Sequence, residues 1–159
     1  MVIISKMAID DIDKKILRTI QADSRITVVD LADRVGLSAT PCARRLQRME
    51  KDGIIKGYVT ALDQKALGLP VSVFVFIKLE RQIRDSLSNF ETSISLLPEV
   101  VDCYLMSGRF DYLLRVVAVD LTDFENFLKS KLTNIEGVAS IESSFALNQI
   151  LQRHSLPIY

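Results

Sequence analysis

The chain has 159 residues, enough for one ordinary domain or two small ones, and its 48% apolar and 25% charged content is that of a globular protein rather than a disordered one. Its formal net charge of zero conceals two unlike halves: residues 1–61 carry eleven Lys/Arg against eight Asp/Glu, and residues 62–159 carry nine against twelve. One histidine, two widely separated cysteines and no apolar run near the ~20 residues that span a bilayer exclude a zinc site, a CxxC redox pair and a membrane-spanning helix.

At the N-terminus Val2-Ile-Ile4, followed by Lys6, is too short for a secretory core, and a cytoplasmic protein is expected. Asp10 or Asp11 caps a first helix in which Ile12, Ile16, Leu17 and Ile20 recur at helical spacing, ending before Asp23-Ser24-Arg25. Thr27 caps a second helix, Asp30 favours its amide-rich start, and Leu31, Ala32 and Val35 supply its apolar side. Gly36 ends it in the left-handed conformation that a Cβ disfavours. Leu37 plugs the turn, and Ser38 or Thr40 opens a third helix that tolerates Pro41 in its first turn.

Between Ser38 and Arg48 this third helix has three arginines and no acid. Cys42, Leu46 and Met49 form a narrow apolar stripe, while Arg44, Arg45 and Arg48 fan across another side. One side docks on a core and the other meets phosphates and base edges. The three helices make a helix-turn-helix whose third helix lies in the major groove of double-stranded DNA. Ser38, Thr40, Arg44, Arg45 and Arg48 are the expected DNA contacts, the planar arginine fork matching guanine and phosphate alike. The modest positive charge gives one copy a weak grip, so at least a dimer is expected.

Gly53-Ile-Ile-Lys-Gly-Tyr-Val-Thr-Ala-Leu62 reads as a tight turn into a short strand, closing a DNA-binding domain at residues 1–62. Gly68 and Pro70 mark residues 63–70 as a linker, and residues 71–159 form a second domain. There Val71, Val73, Val75, Ile77 and Leu79 alternate with Ser72, Phe74, Phe76, Lys78 and Glu80, a strand pattern. Leu87, Phe90, Ile94 and Leu97 mark a helix over residues 84–97, and Pro98 closes it. Two apolar strands, residues 100–107 and 112–119, flank the turn Gly108-Arg-Phe-Asp111. Asp120 caps a helix carrying Leu121, Phe124, Phe127, Leu128 and Leu132, which Gly137 ends. A last strand, residues 138–147, places Ile141, Ser143, Phe145 and Leu147 on one face. The order βαββαβ is that of a ferredoxin-like domain, so the whole chain is α+β. Helices cover one sheet face, and Phe74 and Phe76 on the other invite a partner subunit.

No catalytic set accompanies these elements. His154 sits in a polar tail, Cys42 and Cys103 read as small buried hydrophobes, and GxGxxG, phosphate-cradling and GxSxG motifs are absent. Asp111 beside Tyr112 lacks a nucleophile and base nearby. The chain is therefore not expected to be an enzyme or to need a cofactor or metal.

Gly36-Leu-Ser-Ala-Thr-Pro-Cys42, Arg44-Arg-Leu-Gln-Arg-Met-Glu50, Gly53-Ile-Ile-Lys-Gly-Tyr58 and Ser107-Gly-Arg-Phe-Asp-Tyr-Leu-Leu114, in this order, resemble the leucine-responsive/AsnC family of transcriptional regulators. The resemblance spans about Asp10 to about Pro157 and implies a winged-helix-like or strand-extended helix-turn-helix for DNA, a ligand-sensing ferredoxin-like domain, dimers that commonly assemble into octamers, and a small effector, usually an amino acid, held where dimers meet. It implies an effector site at Ser107, Gly108, Arg109 and Asp111. Asp111 would accept from the α-amino group, or else simply cap the turn, and amides around Gly108 would meet the carboxylate. Relatives often carry an acid after Gly108; Arg109 here disfavours a cationic effector side chain. Leu105, Ser144 and Ala146 are further pocket candidates, small residues there leaving room for a ligand or for a neighbouring subunit. The expected function is a DNA-binding transcriptional regulator answering to an amino acid. The competing reading is a helical head that docks on protein instead of DNA, which salt dependence separates because phosphate contacts release counterions.

Overall fold

The computed structural model describes residues 9–159, and the apolar Val2-Ile-Ile4 lies outside them. The chain forms two compact units, one running to Thr60 and completed by Leu151–Tyr159, the other Ala61–Ile150.

In the first unit α1 spans Asp11–Ala22, α2 Val28–Val35 and α3 Ala39–Lys51. Asp10 caps α1 in a reciprocal capping box, its carboxylate accepting from the Asp13 amide at 2.8 Å while the Asp13 side chain accepts from the Asp10 amide at 3.2 Å. The Thr27 hydroxyl accepts from the Asp30 amide at the start of α2, and Gly36 ends that helix at φ 77°. Ile16, Leu17 and Ile20 bury against Leu31, Ala32 and Val35 and against Cys42 and Met49 of α3. Each such side chain contributes about 1.5–3 kcal/mol of transfer free energy, which holds the third helix on the other two.

The strand expected within residues 53–62 is not formed. Gly53, at φ 72°, instead reverses the chain so that the Ile54 and Ile55 amides donate to the Met49 carbonyl at 2.9 and 3.1 Å, and both side chains pack on the helical core. Beyond them Val59 and Leu62 are exposed with no neighbouring strand to pair with among the described residues, and an extended segment without a ladder is not a strand. A second departure concerns residues 151–159, expected in the C-terminal domain. Ile158 packs on the helical core, its carbonyl accepts from Arg18 at 2.8 Å, and the main chain of Leu156 exchanges two hydrogen bonds with the Gln21 side chain. Nothing in that short stretch of mixed polarity signals so distant a partner.

The second unit holds β1 Val71–Leu79, α4 Arg84–Ser95, β2 Val100–Leu105, β3 Tyr112–Ala118, α5 Leu121–Ser130 and β4 Val138–Phe145, with one 3-10 turn at Leu132–Asn134. The strands pair antiparallel in the order β2-β3-β1-β4, the ferredoxin-like arrangement. Val73, Val75, Ile77 and Leu79 stand beside Leu114, Val116 and Tyr112 and bury under Phe90 and Ile94 of α4 and Phe124 and Phe127 of α5. Alternation puts Phe74 and Phe76 on the other face, where Phe74 stays exposed. Two expectations shift. Residues 63–70 are a structured turn of this unit rather than a free linker, because Gln64 Nε2 donates to the Leu69 carbonyl at 2.6 Å and to Ser72 Oγ at 2.9 Å. Cys103 is exposed, since β2 is an edge strand that α4 covers only in part.

Candidate nucleic-acid and effector sites

On α3 the buried stripe is Cys42 and Met49 with half-buried Leu46. Nearly opposite, within an arc of about 60° at 100° per residue, stand Thr40, Arg44, Gln47 and Lys51, all exposed. Ser38 is the N-cap, yet its hydroxyl makes no capping bond, so it is left free at the helix start. Gln47 and Lys51 were not among the expected contacts; locating the point opposite the apolar stripe is the signal that finds them.

The expected arginine trio does not act as a unit. Arg44 is exposed and bonds to no acid among the described residues, whereas Arg45 and Arg48 are turned onto the start of α1. Arg45 Nη1 lies 2.6 Å from Asp10 Oδ2 and 2.9 Å from Asp13 Oδ1, and Arg48 Nη2 donates to Asp13 Oδ2. Asp13 is 0% exposed, Arg45 28% and Arg48 47%. The reason is angular: Arg45 stands only about 40° round the helix from Met49, which points at the core and so at α1. On α1, Asp13 occupies the same side as Ile16, Leu17 and Ile20, a core position where the pattern calls for an apolar residue. A carboxylate there needs cations, and α3 supplies two. The Arg45 hydrogen bonds follow the Asp13 amide as causes that hold the Asp10 carboxyl below the usual carboxylate range.

In the second unit the turn at residues 106–111 is closed by the Met106 amide donating to the Asp111 carbonyl at 2.8 Å. Gly108 sits at φ 142°, a torsion L side chains rarely adopt, although an added Cβ would meet nothing within 4 Å. Phe110 leans on Phe76 with ring centroids 5.3 Å apart, so the turn bends over the open sheet face. Arg109 lies 4.9 Å above the Phe110 ring and 3.9 Å from Glu142 of β4, its side chain 82% exposed.

Asp111 is not free for a ligand. It is 4% exposed, and its carboxylate accepts from the Leu79 amide at 2.8 Å, from Gln82 Nε2 and from Lys78 Nζ at 3.4 Å. Burial alone would raise its pKa; the Leu79 amide, the Lys78 charge and the Gln82 amide together outweigh burial and hold it below the ordinary carboxylate range. The carboxylate is thus taken up by the end of β1 and the segment after it, so these bonds neither cap its own turn, as the alternative had it, nor leave it open toward an ammonium group. Leu105 is also separated from its expected companions. It pairs with Tyr112 and lines a cavity of about 280 Å³ with Glu91, Ile94, Ser95, Cys103 and Tyr112 on the helix-covered face, at the β2 edge. Ser144 pairs with Phe74 and Ala146 bonds to Ser72, on the open face at the β4 edge. Leu105 cannot share one intrachain pocket with them; Ser107, Gly108 and Arg109 remain exposed at the turn.

Among the described residues no helix is long and apolar enough to cross a membrane. Residues 72–156 match the family model described as the Lrp/AsnC ligand binding domain, and residues 9–56 match one for a winged helix-turn-helix DNA-binding domain. The Bkd operon transcriptional regulator of Pseudomonas aeruginosa is 45% identical over 150 residues, 94% of this chain and 98% of that one. The DNA-binding transcriptional activator DecR of Escherichia coli is 38% identical, covering 94% and 99%. A transcriptional regulator from Neisseria meningitidis, solved as its L-Met complex, superposes with a TM-score of 0.89 at 35% identity, covering 94% of this chain and 97% of that one. With a helix-turn-helix presenting a polar stripe and, later in the sequence, a ferredoxin-like domain, the chain belongs to the Lrp/AsnC family of DNA-binding transcriptional regulators.

Proposed function

We propose that the chain reads DNA with Thr40, Arg44, Gln47 and Lys51 of α3, with Ser38 at the helix start, and works as a homodimer or larger assembly answering to an amino acid. The observation that carries the DNA reading is the exposed stripe opposite Cys42 and Met49, both 0% exposed: docking α3 on α1 and α2 turns that stripe away from the helical core. Gln47 suits a bidentate pair with adenine and Arg44 one with guanine. Lys51, three turns from the helix start, suits phosphate.

A second copy is the natural cover for the open sheet face, where Phe74 is exposed and Phe76 half-buried, and for exposed Tyr104 and Met106 of the β2 edge and its following turn. Dimers of this kind place two helical heads on a twofold axis, and further assembly to an octamer is consistent with apolar residues at both sheet edges. For the effector, the complex of the Neisseria meningitidis regulator with L-Met supports an amino acid. Its place here is the exposed turn at Ser107, Gly108 and Arg109, where main-chain amides and the Arg109 guanidinium suit a carboxylate. Such a regulator works in the cytoplasm with the DNA it binds.

The test is a pair of substitutions on a duplex that the protein itself selects from a random pool. Arg44→Ala and Gln47→Ala should each weaken that duplex by about 1–3 kcal/mol and relax the preference at one base position, with thermal stability unchanged. Full affinity and unaltered preference in both variants would move the interface off α3. Thermal shifts with each amino acid in turn would identify the effector, because a ligand that binds only the folded assembly stabilises it.

A further inference from the structure

Of the four cations on α3, two are exposed on the stripe that faces away from the core, Arg44 and Lys51, and two, Arg45 and Arg48, are held by acids of α1. Asp13 divides its oxygens, Oδ1 to Arg45 and Oδ2 to Arg48, while Asp10 takes the same Arg45 nitrogen on its outer side. Cys42 and Met49 dock α3 on the core with no exposure at all, and the two ion pairs with Asp13 add a polar tie to α1. The arrangement does change what α3 offers to DNA. A free arginine beside the recognition stripe would pair with any phosphate of any sequence, and each such contact strengthens operator and non-operator DNA alike.

We propose that Asp10 and Asp13 are positioning residues that withhold Arg45 and Arg48 from DNA phosphates, and so keep the sequence-independent affinity of the protein for DNA low. A phosphate contact adds the same free energy to every sequence, so withholding it leaves the ratio of operator to non-operator affinity to the base contacts and lowers the absolute affinity for both. Arg45, tied to both acids, is withheld most completely. Arg48, with one acid and a half-exposed side chain, is tethered on its core side. The inference rests on α3 being the DNA-reading helix, as proposed above.

The test uses the full-length protein, the duplex it selects from a random pool, and a scrambled duplex of the same composition, titrated from 50 to 300 mM salt. Asp13→Asn alters a wholly buried group, so Asp10→Asn is the variant of choice: the Asp10 side chain is 50% exposed and Asn caps a helix as well as Asp does. Asp10→Ser, another good cap, stands in if Asp10→Asn melts early. Asp13 still holds Arg45 on its inner side, so Asp10→Asn loosens that arginine and should steepen the dependence of log K on log salt by part of the ~0.9 of one phosphate contact, which at ~0.1 M salt is at most about an eightfold gain on scrambled DNA. The selected duplex should gain by the same factor, so that both absolute affinities rise while their ratio stays at the wild-type value. Adding Arg45→Gln to Asp10→Asn should return the slope to the wild-type value, a reversal that a merely structural role for Asp10 does not produce. A folded Asp10→Asn with unchanged slope and unchanged scrambled-duplex affinity overturns the proposal, as does a gain that survives Arg45→Gln. Arg44→Ala run in parallel separates the two readings: if it leaves the selected duplex fully bound, the assignment of α3 fails, whatever Asp10→Asn shows.

Discussion

Replacing Asp111 isolates a carboxylate that looks like a ligand group and is bonded like a structural one. In Asp111→Ala the Leu79 amide, donating at 2.8 Å in a buried position, is left without an acceptor, which costs about 1–3 kcal/mol. Gln82 is exposed and returns to water, and Lys78 Nζ, 37% exposed at 3.4 Å, adds little once solvent screening is counted. The expected total is therefore about 2–3 kcal/mol. Asp111→Asn keeps an oxygen for Leu79 but turns an NH2 toward the Lys78 and Gln82 donors, so about 1 kcal/mol is expected. Urea unfolding at one fixed protein concentration, followed by far-UV circular dichroism, reads both as lower midpoints with unchanged slopes. The pH dependence has a definite sign. Because the folded-state pKa is depressed, the Asp111 contribution is complete above the ordinary aspartate value and is lost as pH falls through the lower folded-state value. In the Ala variant that acid-side loss should shrink. An Asp111→Ala protein as stable as wild type that no longer responds to its amino acid would refute the assignment and restore the carboxylate to the effector site.

Three further outcomes follow from packing. Met49→Ala should cost about 2–5 kcal/mol of stability, because the side chain is fully buried between α3 and the other helices, while affinity per folded molecule stays unchanged; a neutral melt would contradict its burial. Phe74→Glu should leave the chain monomeric in sedimentation, since a charge on the open sheet face repels a second copy; a dimer of normal strength would place the interface elsewhere. Removing residues 155–159 should destabilise the helical unit by about 1–2 kcal/mol through loss of Ile158, read as an earlier thermal transition, and an unchanged transition would show the tail to be idle.

Most of the fold was legible because its signals are local. The caps at Asp10, Thr27 and Asp120, the left-handed Gly36 and the alternation from Val71 to Leu79 each act within a few residues and survive into the structure. What escaped depends on partners far along the chain. Residues 57–62 have strand composition, but a strand exists only with a neighbour. Ile158 finds α1 some 140 residues upstream. At the DNA site, charge alone grouped Arg44, Arg45 and Arg48; the misplaced acid at position 13, on a side otherwise apolar, was the sign that two of them had another use. At the turn, Asp111 was read by its chemistry without the three donors that β1 and the segment after it bring to it.

The tail on α1 also makes the helical unit discontinuous, with the whole sheet unit inserted between its two pieces. Arg18 and the Ile158 carbonyl it grips are 140 residues apart. At a synthesis rate of about 5–20 residues per second, roughly 7–28 seconds separate their emergence. The sheet unit has its full sequence once Ile150 has emerged, eight residues before Ile158, whereas the helical unit lacks its last packing piece for the whole interval. The order of completion is thus the reverse of the order of translation, and the segment that will read DNA is finished only after the segment that will sense the effector.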